Sequence, residues 1–302
     1  ALQENGTIDA KTYLLVKSVA EQDSASSSVA ATTATSIDKK IEKVVEAKVA
    51  ESNKLNNKVT INTLGKFEVA SNDGDFKFRV GGRIQVDGAS YAEDASRHND
   101  GTELRRVRLF AQGTLWQYWN YKLQYDFTGS GIDGLQDAYI DYRGLKPVSV
   151  KFGHFKEPFG LQNMTSSKYV AFTERALMSA FSPGRNIGIQ LGTHGDNWSL
   201  NAGLFGQGRD GAIADDDEGM GVSGRATFSP KFSDNTRLHL GAALSYRNTG
   251  SIDSVRFRER PESHVTNRRL VDTGSINAND FTRVGLEAAL ISGPFSLESE
   301  YN

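Results

Sequence analysis

Three arginines that alternate along one segment offer the most distinctive chemistry in the sequence. They are Arg256, Arg258 and Arg260, within Ser254–Glu262. In an extended segment, alternate side chains point to the same side at a spacing of about 7 Å, so the three guanidinium groups would form a ladder. Guanidinium stays charged and offers forked donors that match phosphate oxygens. An anion could step along such a ladder, because conduction needs several moderate sites. The alternative is a solvated basic loop edge, partly neutralised by Glu259.

A second set of basic residues lies in the longest connection, residues 156–184. Lys156, Lys168 and Arg175 fall there among several aromatic side chains. Loops of this length that carry their own packing residues are commonly functional. We therefore predict that this loop folds into a pore, narrows it, and directs these three cations toward it. An external hydrophobic loop that packs on a partner subunit is the alternative.

The sequence offers little that suits catalysis or metal binding. It contains no cysteine, and its five histidines share no metal-ligand spacing. No Ser/His/Asp arrangement can be defended. We therefore predict that the protein is not an enzyme, needs no cofactor and binds no nucleic acid.

From Phe76 onward the apolar residues recur with a period of two. This period predicts strands, and these strands must position the basic residues described above. Phe78, Val80 and Ile84, for example, alternate with Arg79 and Arg83. Such strands have one apolar face and one polar or charged face. Eleven strands are predicted, at 76–90, 104–115, 120–128, 135–143, 147–155, 185–192, 197–205, 221–229, 236–247, 281–291 and 294–301.

The connections between these strands alternate between long loops and short turns. A barrel that threads a membrane has this pattern, with tight turns on one rim and long loops on the other. The charged face also requires a water-filled lumen or bulk solvent. No run of about 18 apolar residues exists, which excludes membrane-spanning helices. The pattern therefore predicts an all-β fold, a transmembrane antiparallel up-and-down β-barrel.

The first 62 residues differ from the rest and are predicted to form a separate helical and linker segment. A short helix is expected near Tyr13–Val16, followed by a Ser/Ala/Thr-rich linker at 24–36. Ile41, Val45 and Val49 recur every four residues and predict one amphipathic helix over about 37–55. Such a helix either packs on a neighbour, forms a short coiled coil, or remains a frayed linker.

Several ordered motifs from about residue 66 onward give the chain its resemblance to a known family. They are Val80-Gly-Gly-Arg-Ile-Gln85, Leu104-Arg-Arg106, Lys151-Phe-Gly-His-Phe-Lys-Glu-Pro-Phe-Gly-Leu161, Thr165-Ser-Ser167, Thr173-Glu-Arg175, Arg256 to Pro261, Val271-Asp-Thr-Gly274 and Gly293-Pro-Phe-Ser-Leu297. The chain resembles the phosphate-selective porin O/P family, in which several such motifs occur in this order.

The resemblance implies a homotrimer of 16-stranded barrels in the outer membrane of a Gram-negative bacterium, in contact with lipid and lipopolysaccharide. Residues 63–302 would form the porin domain, C-terminally incomplete because about 11 strands are present, and residues 1–62 would lie in the periplasm. Arg83, Arg105 and Arg106 match pore arginines of the family, and the three alternating arginines match its arginine ladder. The expected ligands are small anions, phosphate or polyphosphate, which diffuse passively past an inward-folded constriction loop.

Three positions depart from the family pattern and leave the preferred anion open. Asn163 replaces a lysine of the phosphate-specific members, Asn120 aligns with a second pore lysine, and Gln136 aligns with a pore aspartate. A general porin without phosphate selectivity is therefore the first alternative. A structural or adhesive barrel and a soluble carbohydrate-binding β-protein are the others.

Overall fold

A computed structural model describes residues 41–49, 59–64, 66–92, 97–206, 217–260 and 263–302. The chain divides into two compact units, one formed by residues 1–60 and 70–74 and the other by residues 61–69 and 75–302. Within the described residues, no helix is long and apolar enough to span a membrane.

In the first unit, residues 41–49 form a helix, α1, within the predicted helix 37–55. Ile41, Val45 and Val49 are less exposed than the residues between them, as the four-residue spacing predicts. The helix expected near Tyr13–Val16 and the linker 24–36 lie outside the described residues. The periplasmic location of residues 1–62 stays a prediction.

The second unit is built on an antiparallel meander in which each of eleven long strands pairs with the next. These strands are β3 (Lys77–Ala89), β4 (Gly101–Leu115), β5 (Trp119–Asp126), β6 (Leu135–Tyr142), β7 (Val148–Lys156), β8 (Arg185–His194), β9 (Trp198–Phe205), β10 (Gly221–Phe228), β12 (Thr236–Asn248), β17 (Asp280–Ser292) and β18 (Phe295–Tyr301). All eleven coincide with predicted strands, which confirms the all-β class and the up-and-down order.

Shorter elements precede or connect these strands. They are β1 (Val59–Asn62), β2 (Phe67–Ser71), β11 (Lys231–Ser233), β13 (Ser254–Val255), β14 (Arg258–Glu259), β15 (Val271–Asp272), β16 (Ile276–Asn277), the helix α2 (Leu161–Met164) and 3-10 turns at Gly131–Gly134, Leu177–Phe181 and Gly250–Ile252. In the last long connection, β13 pairs with β16 and β14 pairs with β15, so this connection is itself folded.

Long and short connections alternate along the meander, as the sequence predicts. Short connections join β4 to β5, β6 to β7, β8 to β9, β10 to β12 and β17 to β18. The intervening connections are longer, and the two longest cover residues 157–184 and 249–279. Because successive strands run in opposite directions, all short turns lie on one rim of the sheet and all long connections on the other.

In water-soluble proteins apolar side chains are buried and polar ones are exposed, whereas this sheet has the opposite arrangement. Apolar side chains such as Ile84 and Leu244 are exposed, at 72% and 55%. The residues that alternate with them are polar and buried, for example Ser245 at 1% and Glu287 at 4%. We call the second set the polar face. A strand of this kind requires lipid on one side and water or polar groups on the other.

Replacing Leu244 by Arg tests this assignment. Placing a charge on the lipid-facing side near the middle of β12 should lower the free energy of unfolding in lipid vesicles by about 2–4 kcal/mol. Leu270, which is 60% exposed but lies in the connection after β14, serves as the control. Leu270→Arg should leave the stability nearly unchanged, and equal losses from both variants would contradict a lipid-facing β12. The measurement is a urea titration of the complete protein in vesicles.

Candidate functional site

The connection between β7 and β8, residues 157–184, lies against the polar face, and we call it the inner loop. Its first residue, Glu157, is fully buried. Asn186 Nδ2 donates to Glu157 Oε1 at 2.6 Å, and Ser223 and Arg247 also donate to this carboxylate. These three donors come from β8, β10 and β12, so one buried carboxylate fixes the start of the loop to three strands.

A second carboxylate fixes the helix of the inner loop. Glu300, on β18, accepts hydrogen bonds from the backbone N–H of Leu161 and, at 3.1 Å, of Gln162. Gly160 precedes them with φ 73°, a left-handed conformation that glycine adopts without strain. A side chain at Gly160 would place its Cβ 3.1 Å from Glu300 Oε1, so glycine also makes room for the carboxylate.

A chain of aromatic rings joins the inner loop to the arginine segment. Phe181, in the loop, lies 5.2 Å from Phe257, and Phe257 lies 5.8 Å from Phe281 on β17, centroid to centroid. The guanidinium of Arg283 lies over Phe281 at 4.4 Å. Aromatic and cation–π contacts of this kind are each worth about 1 kcal/mol. They fix both long connections to the same strand.

Between the inner loop and strands β3 to β8 lies a cavity of about 470 Å³, which we call the central cavity. Among the described residues that line it, eleven are lysine or arginine and one, Asp137, is acidic. The basic residues are Arg79, Arg83, Arg105, Arg106, Arg108, Lys122, Lys151, Lys156, Lys168, Arg175 and Arg185. Six of the nine predicted pore residues, Arg83, Arg105, Arg106, Lys156, Lys168 and Arg175, thus meet in one place.

Some of these cations are already neutralised by acidic neighbours. Arg108 Nε donates to Asp126 Oδ2 at 2.6 Å. Lys122 and Arg185 approach the two oxygens of Asp137 at 2.5 and 2.8 Å. These pairs leave fewer charges available to a mobile anion, and they fix the orientation of the Arg108, Lys122 and Arg185 side chains.

Other cations of the cavity have no carboxylate within 4 Å in the described part of the chain. Arg83 lies directly opposite Arg108 in the β3–β4 register, a like-charge pair that normally destabilises a sheet. Lys156 donates only to the carbonyl oxygens of Asn163 and Thr165. An anion in the cavity would therefore find positive charge that the protein itself does not compensate.

The surroundings of Arg175 also carry an excess of positive charge. Its Nε donates to the carbonyl of Gln162 at 2.6 Å, and a second nitrogen donates to the carbonyl of Thr165 at 2.7 Å. Burial, together with the positive charges of Arg106 and Arg185, lowers the pKa of Arg175 to about 10. The group remains charged at neutral pH, and its surroundings favour any anion that reduces this repulsion.

Glu174 is the one residue of the inner loop, among those described, that forms an ion pair with the strand β4. It pairs with Arg105, and both of its oxygens lie near Arg106, at 3.1 and 3.0 Å from the same guanidinium nitrogen. Burial alone would raise the pKa of Glu174, but the hydrogen bond and charge of Arg105 and the charge of Arg106 outweigh it and lower the pKa. The carboxylate is therefore ionised.

Two further cavities adjoin the central one. The loop-side cavity, about 210 Å³, shares Arg105 and Arg175 with it and is also lined by Glu174, Glu259 and Arg260. The turn-side cavity, about 240 Å³, shares residues with the opposite end of the central cavity and reaches residues of the short-turn rim. The shared residues are Arg79, Gln112, Lys122 and Tyr139. The three cavities thus follow one another along the polar face.

The three alternating arginines differ in how far their charges are compensated. Arg256 forms a forked pair with Asp272 at 2.7 and 2.6 Å, and its hydrogen bond, with that of the Gly274 N–H, lowers the pKa of Asp272 to about 2. Arg258 is exposed on β14, without a carboxylate within 4 Å among described residues. Arg260 donates to the carbonyl of His264 at 2.8 Å and lines the loop-side cavity.

Two of the three departures from the family pattern, Asn163 and Asn120, line these cavities. Asn163 is buried in α2, and its side chain donates to the carbonyl of Phe159 at 3.0 Å. Asn120 accepts from Thr114 at 2.8 Å and lines the turn-side cavity. Gln136 lies on β6. Sequence reasoning did not anticipate Arg185 as a cavity residue or Glu174 as a partner of two arginines; the adjacent acid and base Glu174-Arg175 was the available signal.

Comparisons with known proteins agree with this architecture. The family described as phosphate-selective porin O and P matches residues 78–302. The chain is 30% identical over 276 residues to Porin O of Pseudomonas aeruginosa, an alignment covering 80% of this chain and 62% of that protein. It is 31% identical over 237 residues to an uncharacterized protein of Caulobacter vibrioides, covering 73% of this chain and 47% of that protein. The chain thus spans less than two thirds of the length of both relatives.

Removing the Glu157 carboxylate should detach the inner loop. Glu157→Ala leaves Arg247 buried without its partner, and loss of one member of a buried pair costs about 3–5 kcal/mol. We expect a matching fall in the free energy of unfolding and faster protease cleavage within residues 157–184. Glu298→Ala, on exposed strand β18, is the control and should change neither quantity. Equal cleavage rates in both variants would show that Glu157 does not hold the loop.

Proposed function

The chain belongs to the phosphate-selective porin O and P family, and on that premise we propose that it is part of an outer-membrane pore through which small anions diffuse passively. Family membership points to a channel rather than an enzyme. The single observation that carries the anion preference is the central cavity, where eleven basic residues face one acidic residue among those described.

The series of three cavities supports a continuous route for ions. Because neighbouring cavities share lining residues, an ion leaving one is already in contact with the next. Conduction requires binding that is strong enough for entry and divided over several sites so that the ion can leave. The route leads from the rim of the long connections to the rim of the short turns, which is the direction that crosses the bilayer.

The chemistry of the cavity favours oxyanions such as phosphate and polyphosphate. Guanidinium groups bind two oxygens of one phosphate through parallel hydrogen bonds, whereas an ammonium group acts as a point charge. Arg83, Arg105 and Arg106 supply guanidinium groups, and Lys156 supplies an ammonium group near them. The asparagines at positions 163 and 120 remove two further ammonium groups, which favours a broader anion selectivity as the second candidate function.

The proposed assembly and membrane contacts also rest on family membership. We infer that the complete protein forms a homotrimer, that its apolar face contacts lipid and lipopolysaccharide, and that residues 1–62 lie in the periplasm. The exposed apolar side chains of the sheet support the lipid contact. The apolar stripe of the helix at 41–49 supports a packing role for that segment.

Neutralising one uncompensated cavity cation tests the anion preference. Arg83→Gln should lower the anion-over-cation permeability ratio about fivefold, because one such charge contributes about 1 kcal/mol to an ion nearby. Lys231→Gln, at the short-turn rim and paired with Asp234, is the control and should leave the ratio unchanged. The measurement is the reversal potential of the complete protein in planar bilayers under a salt gradient. Cation preference of the unaltered protein would overturn the proposed function.

Neutralising the alternating arginines tests the ladder. The triple variant Arg256→Gln, Arg258→Gln, Arg260→Gln should lower anion selectivity and slow anion entry, because these charges collect anions at the rim. The effect should weaken at high salt, where the Debye length shortens. Arg268→Gln, in the same connection, is the control for a lost charge outside the ladder. Unchanged selectivity in the triple variant would assign these arginines to the solvated loop edge.

A further inference from the structure

Glu174 lies in the loop-side cavity, beside the two arginines that this cavity shares with the central cavity. Arg105 and Arg175 line both cavities, and Glu174 lines the first. Its carboxylate is paired with Arg105 and lies 3.0 Å from Arg106. Two guanidinium groups at this junction are therefore already paired with a carboxylate of the protein itself. A mobile anion that uses the same arginines has to compete with it.

We propose that Glu174 is an internal counter-ion which passing anions must displace, so that the pore favours oxyanions able to bridge two guanidinium groups over halide ions. This inference rests on the proposed function, because it concerns selection among anions. It makes Glu174 a specificity-determining residue of the pore, and the species that it selects are phosphate-like anions with several oxygens.

The discrimination follows from how each anion can replace a carboxylate. A phosphate group presents several oxygens and more than one negative charge at neutral pH, so it can take over forked hydrogen bonds to both arginines. A chloride ion carries one charge on a single atom, so it cannot offer separate acceptor atoms to two guanidinium groups at once. When chloride displaces the Glu174 carboxylate, strong hydrogen bonds to the arginines are therefore exchanged for weaker ones. When phosphate displaces it, the new hydrogen bonds are of similar strength.

The inner loop does not depend on Glu174 for its position. Glu157 fixes its start, Glu300 fixes α2, and Phe181 packs on Phe257 at its far end. The neighbouring Arg175 is held by two carbonyl groups. The Glu174 side chain, 15% exposed, can therefore leave its two arginines without carrying the loop backbone with it.

The test compares the permeability of phosphate and chloride in bi-ionic reversal-potential measurements on the complete protein. In Glu174→Gln, the phosphate-over-chloride ratio should fall at least threefold while chloride conductance rises. Glu259→Gln is the matched variant: it removes an equal charge from the same loop-side cavity, but its carboxylate accepts only the Arg260 N–H at 2.9 Å among the described groups. It should shift both permeabilities together and leave their ratio within twofold.

A second variant separates the specific contact from a general field effect. Glu174→Asp keeps the charge and shortens the reach by one methylene, so the ratio should fall in the same direction as in Glu174→Gln by a smaller factor. If Glu174→Asp matches the unaltered protein and Glu174→Gln matches Glu259→Gln, the counter-ion role is refuted. That result leaves anion-over-cation selectivity intact, whereas failure of the proposed function appears as cation preference before any substitution.

Discussion

Everything in this fold depends on a sheet that separates lipid on one face from water on the other. Each strand must expose apolar side chains outward and carry polar ones inward, so the usual burial order of a folded protein is inverted. Inward charges that are packed against other protein groups lose part of their hydration, which explains why Arg108 meets Asp126 and Arg225 meets Glu287 across the polar face. Several charges without such partners within the described ranges, among them Arg83 and Arg175, line the central cavity.

That concentration of charge is stable because the inner loop is attached by groups other than the cations themselves. A buried carboxylate at Glu157, a second at Glu300 and an aromatic contact at Phe181 hold the loop over a region where like charges repel. The repulsion between Arg83 and Arg108 is thus offset elsewhere in the structure. In the proposed pore, an entering anion would reduce this repulsion, and a preorganised cavity needs little movement to bind it.

The strands were predictable from the sequence because alternation is a local property. Phe78, Arg79 and Val80 already reveal which face each residue occupies, and all eleven long strands follow in this way. The contacts of the inner loop were not predictable, since Arg247 joins Glu157 across 90 positions and Arg105 joins Glu174 across 69. Lys156 and Arg175 line the central cavity, and their role in a pore stays a prediction. The compensation of Arg256 by Asp272 depends on a pairing of two-residue strands that no periodicity reveals.

The row of rings formed by Phe181, Phe257 and Phe281 has an evolutionary consequence. Loops on the exposed rim of a surface protein are free to change in length as long as nothing inside depends on them. Here the segment around Phe257 contacts both the inner loop and β17, so an insertion or deletion beside it would shift that loop as well. Length variation among relatives should therefore be smallest in the connection that carries Phe257.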